Sequence, residues 1–239
     1  MLPADARFLI VQPGSPVEPL GRRGGFARWI RTAAGLRAQQ VQVVDVQAGQ
    51  PLPAHARFAG VLVTGSAAMV SQRLDWSERA ADWLRDAAGA GRPVLGICYG
   101  HQLLAHALGG RVGPNPNGRE IGTVAVELLP QAAGDPLFAT MPATFPAHAT
   151  HQESVLALPP GAVRLAASRL DGCQAFRCGQ AAWGVQFHPE FRAIHMRGYL
   201  RARAAQLWRE QLDPEALLAA VRPTPQARAL LQRFVRLAC

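Results

Sequence analysis

Lysine is missing from this chain. All 25 basic residues are arginines, set against 16 Asp and Glu, for a formal net charge of +9 over 239 residues. Alongside abundant Ala, Gly and Pro, that absence reads as coding bias in a GC-rich genome. Cysteine is scarce, with four in the chain. Cys98, Cys173, Cys178 and Cys239 are scattered, which argues against a disulfide framework. Cys173 and Cys178 would make half a metal site, but no second Cys or His pair stands at ligand spacing, so no metal is expected. No apolar run approaches the roughly 18 residues of a membrane span. No basic start followed by an apolar run and a small-residue cleavage site opens the chain. The expectation is a soluble, cytoplasmic protein that meets no membrane. The positive charge permits nucleic-acid binding, but the arginines spread along the whole chain without clustering among aromatics. A generally basic surface is therefore the better reading.

What is present is core-forming. With 49% hydrophobic residues, the chain can bury a substantial core, and residues 1–239 read as one domain. The runs 7–12, 41–46, 58–66 and 93–98 read as strands. Between them, 26–35 carries Phe26, Trp29, Ile30 and Ala33 at helical spacing, closed by Gly35. The stretch from Asp75 reads as a helix capped by Asp75 with Glu78 three residues on, and with Trp76, Ala80, Trp83, Leu84 and Ala87 as its stripe. A further helix follows residue 98 and closes at Gly109. Strands alternating with helices predict a parallel sheet covered on both faces. The middle of the chain reads as more antiparallel: "GTVAVELLP", "VRLAASR", "CQAFRC" and "AAWGVQF" are strand-like runs. One long helix is expected over 191–210, then a helical tail from about 212 whose last segment offers Leu230, Leu231, Phe234 and Val235. That face would pack on its own domain or on a second copy in a homodimer.

The segment "RPVLGICYGHQLLAHALGG" places Cys98 where an apolar strand stops and a helix begins. Gly96 and Gly100 flank it in the G-x-nucleophile-x-G pattern of a tight elbow. A thiol reacts as thiolate, and a helix N-terminus or a neighbouring imidazolium lowers its pKa. "WGVQFHPEF" supplies such a base at the end of another strand. His188 and Glu190 are two apart, so both side chains point to the same side of an extended chain, where the carboxylate can orient the imidazole. Taken singly, each has a bland alternative: a buried core cysteine, or a surface histidine beside a helix-capping glutamate.

Taken together, "GICYGHQLLAHALGG" and "GVQFHPEF", in this order and roughly 90 residues apart, resemble the two signatures of the class I (triad) glutamine amidotransferases. "VTGSAAMV", "NPNGREIGT" and "HATHQESV" fit a stand-alone branch resembling the amidotransferase domain of GMP synthetase. The resemblance implies a flavodoxin-like three-layer α/β sandwich, its central, mostly parallel sheet carrying a smaller antiparallel extension. It implies a catalytic triad of Cys98, His188 and Glu190, with an oxyanion hole from the backbone N–H of Tyr99 and the turn Gly65-Ser66. It also implies substrate contacts from Gln102 and from the segment holding His151, Gln152 and Glu153. The reaction it implies is hydrolysis of the glutamine side-chain amide through a thioester, with no cofactor.

Two departures stand out. Relatives often carry paired glycines and then a proline in the turn where this chain has Gly65-Ser66-Ala67. There is also no P-loop or synthetase segment to use ammonia, so an acceptor would sit on another chain. A γ-glutamyl peptidase using the same triad on γ-glutamyl conjugates is the nearest rival, and a catalytically silent scaffold a more distant one. His101 and His106 would not share a helix face. His148 and His151, placed in a loop, carry no ligand pattern around them.

Overall fold

The computed structural model describes residues 7–239. Strands β1 (Phe8–Gln12), β2 (Val41–Asp45), β3 (Gly60–Val63) and β4 (Val94–Ile97) alternate with helices α1 (Gly25–Ala34), α2 (Asp75–Gly89) and α3 (Tyr99–Ala107). Next come β5 (Arg111–Pro114), β6 (Glu120–Leu128), β7 (Thr144–His151), β8 (Glu153–Ala157), β9 (Val163–Ala167), β10 (Ala175–Cys178) and β11 (Ala182–Val185). The chain closes with α4 (Ala193–Ala202), α5 (Ala204–Arg209), α6 (Pro214–Ala219) and α7 (Pro225–Leu237).

Nine strands form one sheet in the order β2-β1-β3-β4-β11-β10-β9-β6-β7, while β5 and β8 pair apart from it. The first five strands of that order run parallel, and the last four extend it in antiparallel fashion. This is the flavodoxin-like arrangement, in which the carboxyl ends of the parallel strands form the natural ligand crevice. "AAWGVQF" belongs to both parts: β11 is antiparallel to β10 but parallel to β4. That pairing carries the residues after β11 to the same edge of the sheet as the residues after β4.

Apolar runs dictate the three layers. In β1, Phe8 and Ile10 point to the face covered by α1 and α7, while Leu9 and Val11 point to the face covered by α2 and α3. Both faces are buried, so the strand is apolar throughout rather than alternating. Ala227, Leu230, Leu231, Phe234 and Val235 of α7 lie in the first core. The apolar face of the tail is thus spent within the chain, which removes the ground for reading it as a homodimer seam.

Local expectations fail at four places. Leu74, not Asp75, is the N-cap of α2, and no side chain caps it; Asp75 sits inside the first turn, where a carboxylate still suits the helix dipole. Trp76 and Trp83 flank the buried stripe of α2 rather than lie in it. The helix expected over 191–210 breaks at Arg203, whose φ of −105° and ψ of 5° separate α4 from α5. His148 and His151 lie on β7, not in a loop. Pro146 obscured that strand; β7 is the edge of the sheet, where a proline removes no needed ladder bond.

Candidate active site

Cys98 sits between β4 and α3 with φ 52° and ψ −105°, a backbone region that non-glycine residues rarely occupy and that costs about 1–3 kcal/mol. The flanking glycines explain how the chain holds it there. A Cβ on Gly96 would lie 2.3 Å from the Gly100 carbonyl oxygen, and one on Gly100 would lie 2.5 Å from the Val63 carbonyl oxygen. Only glycine lets β3, β4 and the start of α3 approach so closely. The turn therefore projects the thiol over the carboxyl edge of the sheet, at the N-terminus of α3, whose first N–H groups have no partner within the helix.

His188 reaches the same edge from the end of β11. Its backbone N–H donates to the His148 carbonyl at 2.7 Å. Its ring packs against Phe191 and Phe26, with centroids 4.1 and 6.0 Å away. Nδ1 pairs with Glu190 Oε1 at 2.8 Å, and both side chains are buried. Nε2 is buried with no other hydrogen-bond partner among the described residues, and the Cys98 side chain is its neighbour there. Burial alone would lower the His188 pKa. The Glu190 carboxylate and the Cys98 sulfur outweigh that and hold its pKa well above the ordinary imidazole value. His148, by contrast, is pushed down to about 4 by burial and by the cations around it, His188 foremost.

Gly65, in the turn after β3, closes the other side. A Cβ there would stand 3.0 Å from His188 Cε1 and 3.8 Å from Cys98 Cβ, so the Gly65-Ser66 backbone lies against both. The Ser66 hydroxyl is occupied, donating to the Pro13 carbonyl at 2.9 Å and accepting from the Ala68 N–H at 3.1 Å. What this turn can offer an oxyanion is backbone N–H, together with that of Tyr99. The Tyr99 hydroxyl is tied to Ser77 Oγ at 2.6 Å, and burial pushes its pKa up to about 12.

A slot of about 60 Å³ opens beside Cys98, bounded by Ser66 and Met69, Tyr99 and Gln102, the segment from Thr150 to Glu153, and Arg119 and Arg203. Gln102 spends both amide protons on the protein, donating to the Glu153 carbonyl at 2.8 Å and to Gln186 Oε1 at 2.9 Å. Only its carbonyl oxygen remains for a substrate. The Glu153 side chain is occupied as well, accepting from the Val70 N–H at 2.8 Å. His151 is fixed at both nitrogens, by the Glu153 carbonyl at 3.0 Å and Glu120 Oε2 at 3.1 Å. These residues shape the slot mainly through backbone. Of the other histidines, His101 is fully buried against Phe176 and burial lowers its pKa to about 4. His106 meets Glu78 and Arg73 near the surface.

Sequence reasoning singled out the triad and its flanking glycines but gave no site role to Gln186 and Phe191 inside the second motif, to Arg119 and Glu120 inside "NPNGREIGT", to Arg203, or to Phe26 beyond its helix stripe; only the chain path brings these side chains together here. Among the described residues, no cluster of three or more His, Cys, Asp or Glu is arranged to hold a metal ion.

Residues 23–203 match the family model described as glutamine amidotransferase class-I. The GMP synthase (glutamine-hydrolysing) of Thermomicrobium roseum is 40% identical over 136 residues, which is 57% of this chain and 24% of that protein. The γ-glutamyl-L-1-hydroxyisopropylamide hydrolase of a Pseudomonas species is 30% identical over 156 residues, 63% of this chain and 53% of that protein. The chain thus spans between a quarter and about half of the length of these curated relatives. A glutamine amidotransferase structure from Thermotoga maritima superposes with a TM-score of 0.74 over 99% of both chains at 22% identity, which shows a shared fold.

Proposed function

The chain belongs to the class I glutamine amidotransferases, and on that premise we propose that it hydrolyses a γ-glutamyl amide through Cys98, His188 and Glu190. The observation that carries this reading is the buried His188–Glu190 pair at 2.8 Å, with its second ring nitrogen beside a thiol held on a strained elbow. Glutamine is the substrate the family match favours.

In this scheme the Cys98 proton resides on His188, and the thiolate attacks the side-chain carbonyl carbon. The carbonyl electron pair moves to oxygen, where the backbone N–H groups of Tyr99 and the Gly65-Ser66 turn receive it. As the tetrahedral intermediate collapses, the C–N bond breaks and His188 gives its proton to the departing ammonia. A γ-glutamyl thioester remains on Cys98. Water, losing a proton to His188, then attacks the thioester carbonyl, and the thiolate departs to leave glutamate. Glu190 orients the imidazole and stabilises its cation throughout. Gln102 and the backbone from His151 to Glu153 frame the substrate. The chemistry needs no cofactor.

The ammonia would pass to a synthetase on another chain, by analogy with the glutamine-hydrolysing GMP synthase it resembles. The resemblance to the Pseudomonas hydrolase supports a second reading, hydrolysis of substituted γ-glutamyl amides. Among the described residues no helix is long and apolar enough to cross a membrane.

The test is glutamate and ammonia release from glutamine, beside Cys98→Ala. Turnover that disappears in Cys98→Ala is the expected result. Turnover of γ-glutamyl amides but not of glutamine selects the second reading. No turnover of either, together with no selective alkylation of Cys98, overturns both and leaves a silent scaffold.

A further inference from the structure

Two arginines in the wall of the catalytic slot have no part in the triad chemistry, Arg119 and Arg203. Arg119 is already satisfied. Its guanidinium forks onto Glu210 at 2.6 and 3.0 Å, with the Arg119 side chain 3% exposed. Arg203 has no such partner among the described residues. It stands at the break between α4 and α5, half-buried. Its Nε is buried with no hydrogen bond among the described residues. Its Nη1 reaches Gln206 Oε1 only at 3.5 Å, and the guanidinium carbon lies 5.9 Å from the centre of the Tyr199 ring. No carboxylate of the described residues pairs with it.

A half-buried guanidinium without an anion is an expensive arrangement. Burial, and then the Arg119 cation, pull the Arg203 pKa down, while Tyr199, Cys98 and Glu210 only partly compensate. Glu210 relieves it only in part: its oxygens already accept from Arg119 and from Gln206 Nε2, and it makes no ion pair with Arg203. No described carboxylate supplies the missing anion, and the slot that Arg203 lines is where a ligand can bring one. The amide under attack is neutral, so the matching group is a carboxylate elsewhere on the substrate. A planar guanidinium suits a carboxylate by geometry as well as by charge.

We propose that Arg203 is a specificity-determining residue that pairs with a carboxylate of a γ-glutamyl substrate. This rests on the reading of the slot as the place of γ-glutamyl hydrolysis. The carboxylate has two sources, the α-carboxylate of the glutamyl group or an acid on the leaving amine. The break in the helix is part of the device, because it places Arg203 at the slot while the helix on either side packs into the core.

The experiment compares the native chain with Arg203→Gln and Arg203→Lys on L-glutamine, γ-glutamylglycine and γ-glutamylmethylamide. Arg203→Gln is expected to raise KM about 10- to 100-fold, the range for a lost charge-assisted hydrogen bond. Its kcat should stay within about threefold, and Arg203→Lys should recover part of the loss. A rise with all three substrates identifies the α-carboxylate as the partner. A rise confined to γ-glutamylglycine identifies the leaving-group acid. Unchanged KM throughout overturns the proposal, and so does a fall in kcat and melting temperature with no change in KM. Calorimetric binding of L-glutamate and γ-glutamylglycine to the same proteins decides independently of turnover. Weakening of either ligand by about tenfold or more in Arg203→Gln supports the pairing; equal binding, or none to the native chain, overturns it. If none of the amides is hydrolysed by the native chain, the triad reading fails, while calorimetry still answers for Arg203.

Discussion

His188 and His151 are both buried, and each holds a carboxylate on one ring nitrogen, Glu190 at 2.8 Å and Glu120 at 3.1 Å. They differ at the other nitrogen. His151 gives it to the Glu153 carbonyl at 3.0 Å, while His188 leaves it to the Cys98 thiol. One imidazole is fixed at both ends and braces the segment from Thr150 to Glu153. The other is fixed at one end and, in the proposed scheme, moves a proton at the other. A third pair, His106 with Glu78 at 3.1 Å, sits where the carboxylate side chain is 38% exposed. The same two side chains therefore do three different things, and the surroundings decide which. The comparison teaches that a histidine–carboxylate contact marks a reactive site only when the second nitrogen faces a group with chemistry of its own.

The strongest way to break the comparison is Glu190→Gln. It keeps the shape and removes the charge, so the fold should survive while kcat falls by about 10²–10⁴. Glutamate release, with circular dichroism as the fold control, measures it. If kcat is unchanged, His188 is no more a catalytic imidazole than His151.

The pH dependence sharpens the same point. His188 has its folded pKa raised above the unfolded value of about 6.5, and Glu190 is the largest cause that raises it. Its contribution to stability is fully present below about pH 6.5 and is lost as pH climbs through the folded pKa, near 10. Activity should fall in the same alkaline window, because a neutral His188 cannot protonate the leaving amine. In Glu190→Gln the residual activity should lose its alkaline limb at lower pH, and its urea midpoint should fall less across pH 7–10. Identical profiles for the two proteins would contradict the assignment.

Glu120→Gln should act differently. Glu120 accepts from Ser168 and Gln174 as well as pairing with His151, so the change disturbs a buried network at about 1–3 kcal/mol. Urea denaturation should show that loss, with KM raised more than kcat is lowered because the substrate segment loosens. A kcat loss as large as that of Glu190→Gln would erase the distinction between strut and catalyst. The smallest effect belongs to Glu78→Gln, a surface pair whose removal should change stability by no more than about 0.5 kcal/mol and leave kinetics untouched. Thermal melting and a single-substrate assay suffice to check it.

How much was legible follows from sequence distance. His188 and Glu190 share an extended stretch, so their alignment could be read from alternation alone. The elbow could be read from Gly96 and Gly100, because the close approach around Cys98 tolerates no side chain. Glu120 and His151 face each other only through the register of β6 and β7, and Pro146 hid the second of those strands. Arg203 looked like one more residue of a continuous helix. No periodicity announces that the helix breaks there, since α4 and α5 are each regular. The cap of α2 failed for a different reason: Leu74 takes the extended cap conformation, which the side-chain preferences at that site did not foretell.

By itself the sequence determined the parallel half of the sheet, the elbow and the alignment of His188 with Glu190, because these depend on short-range rules: strand and helix periods, glycine's missing Cβ and the two-residue repeat of extended chain. Only the tertiary structure decided which histidine leaves a ring nitrogen beside the thiol, which glutamate sits in a buried network, and which arginine stands at the slot without a carboxylate among the described residues. Those are matters of burial and partnership, and a side chain's partners are chosen by where the chain returns, not by which residues precede it.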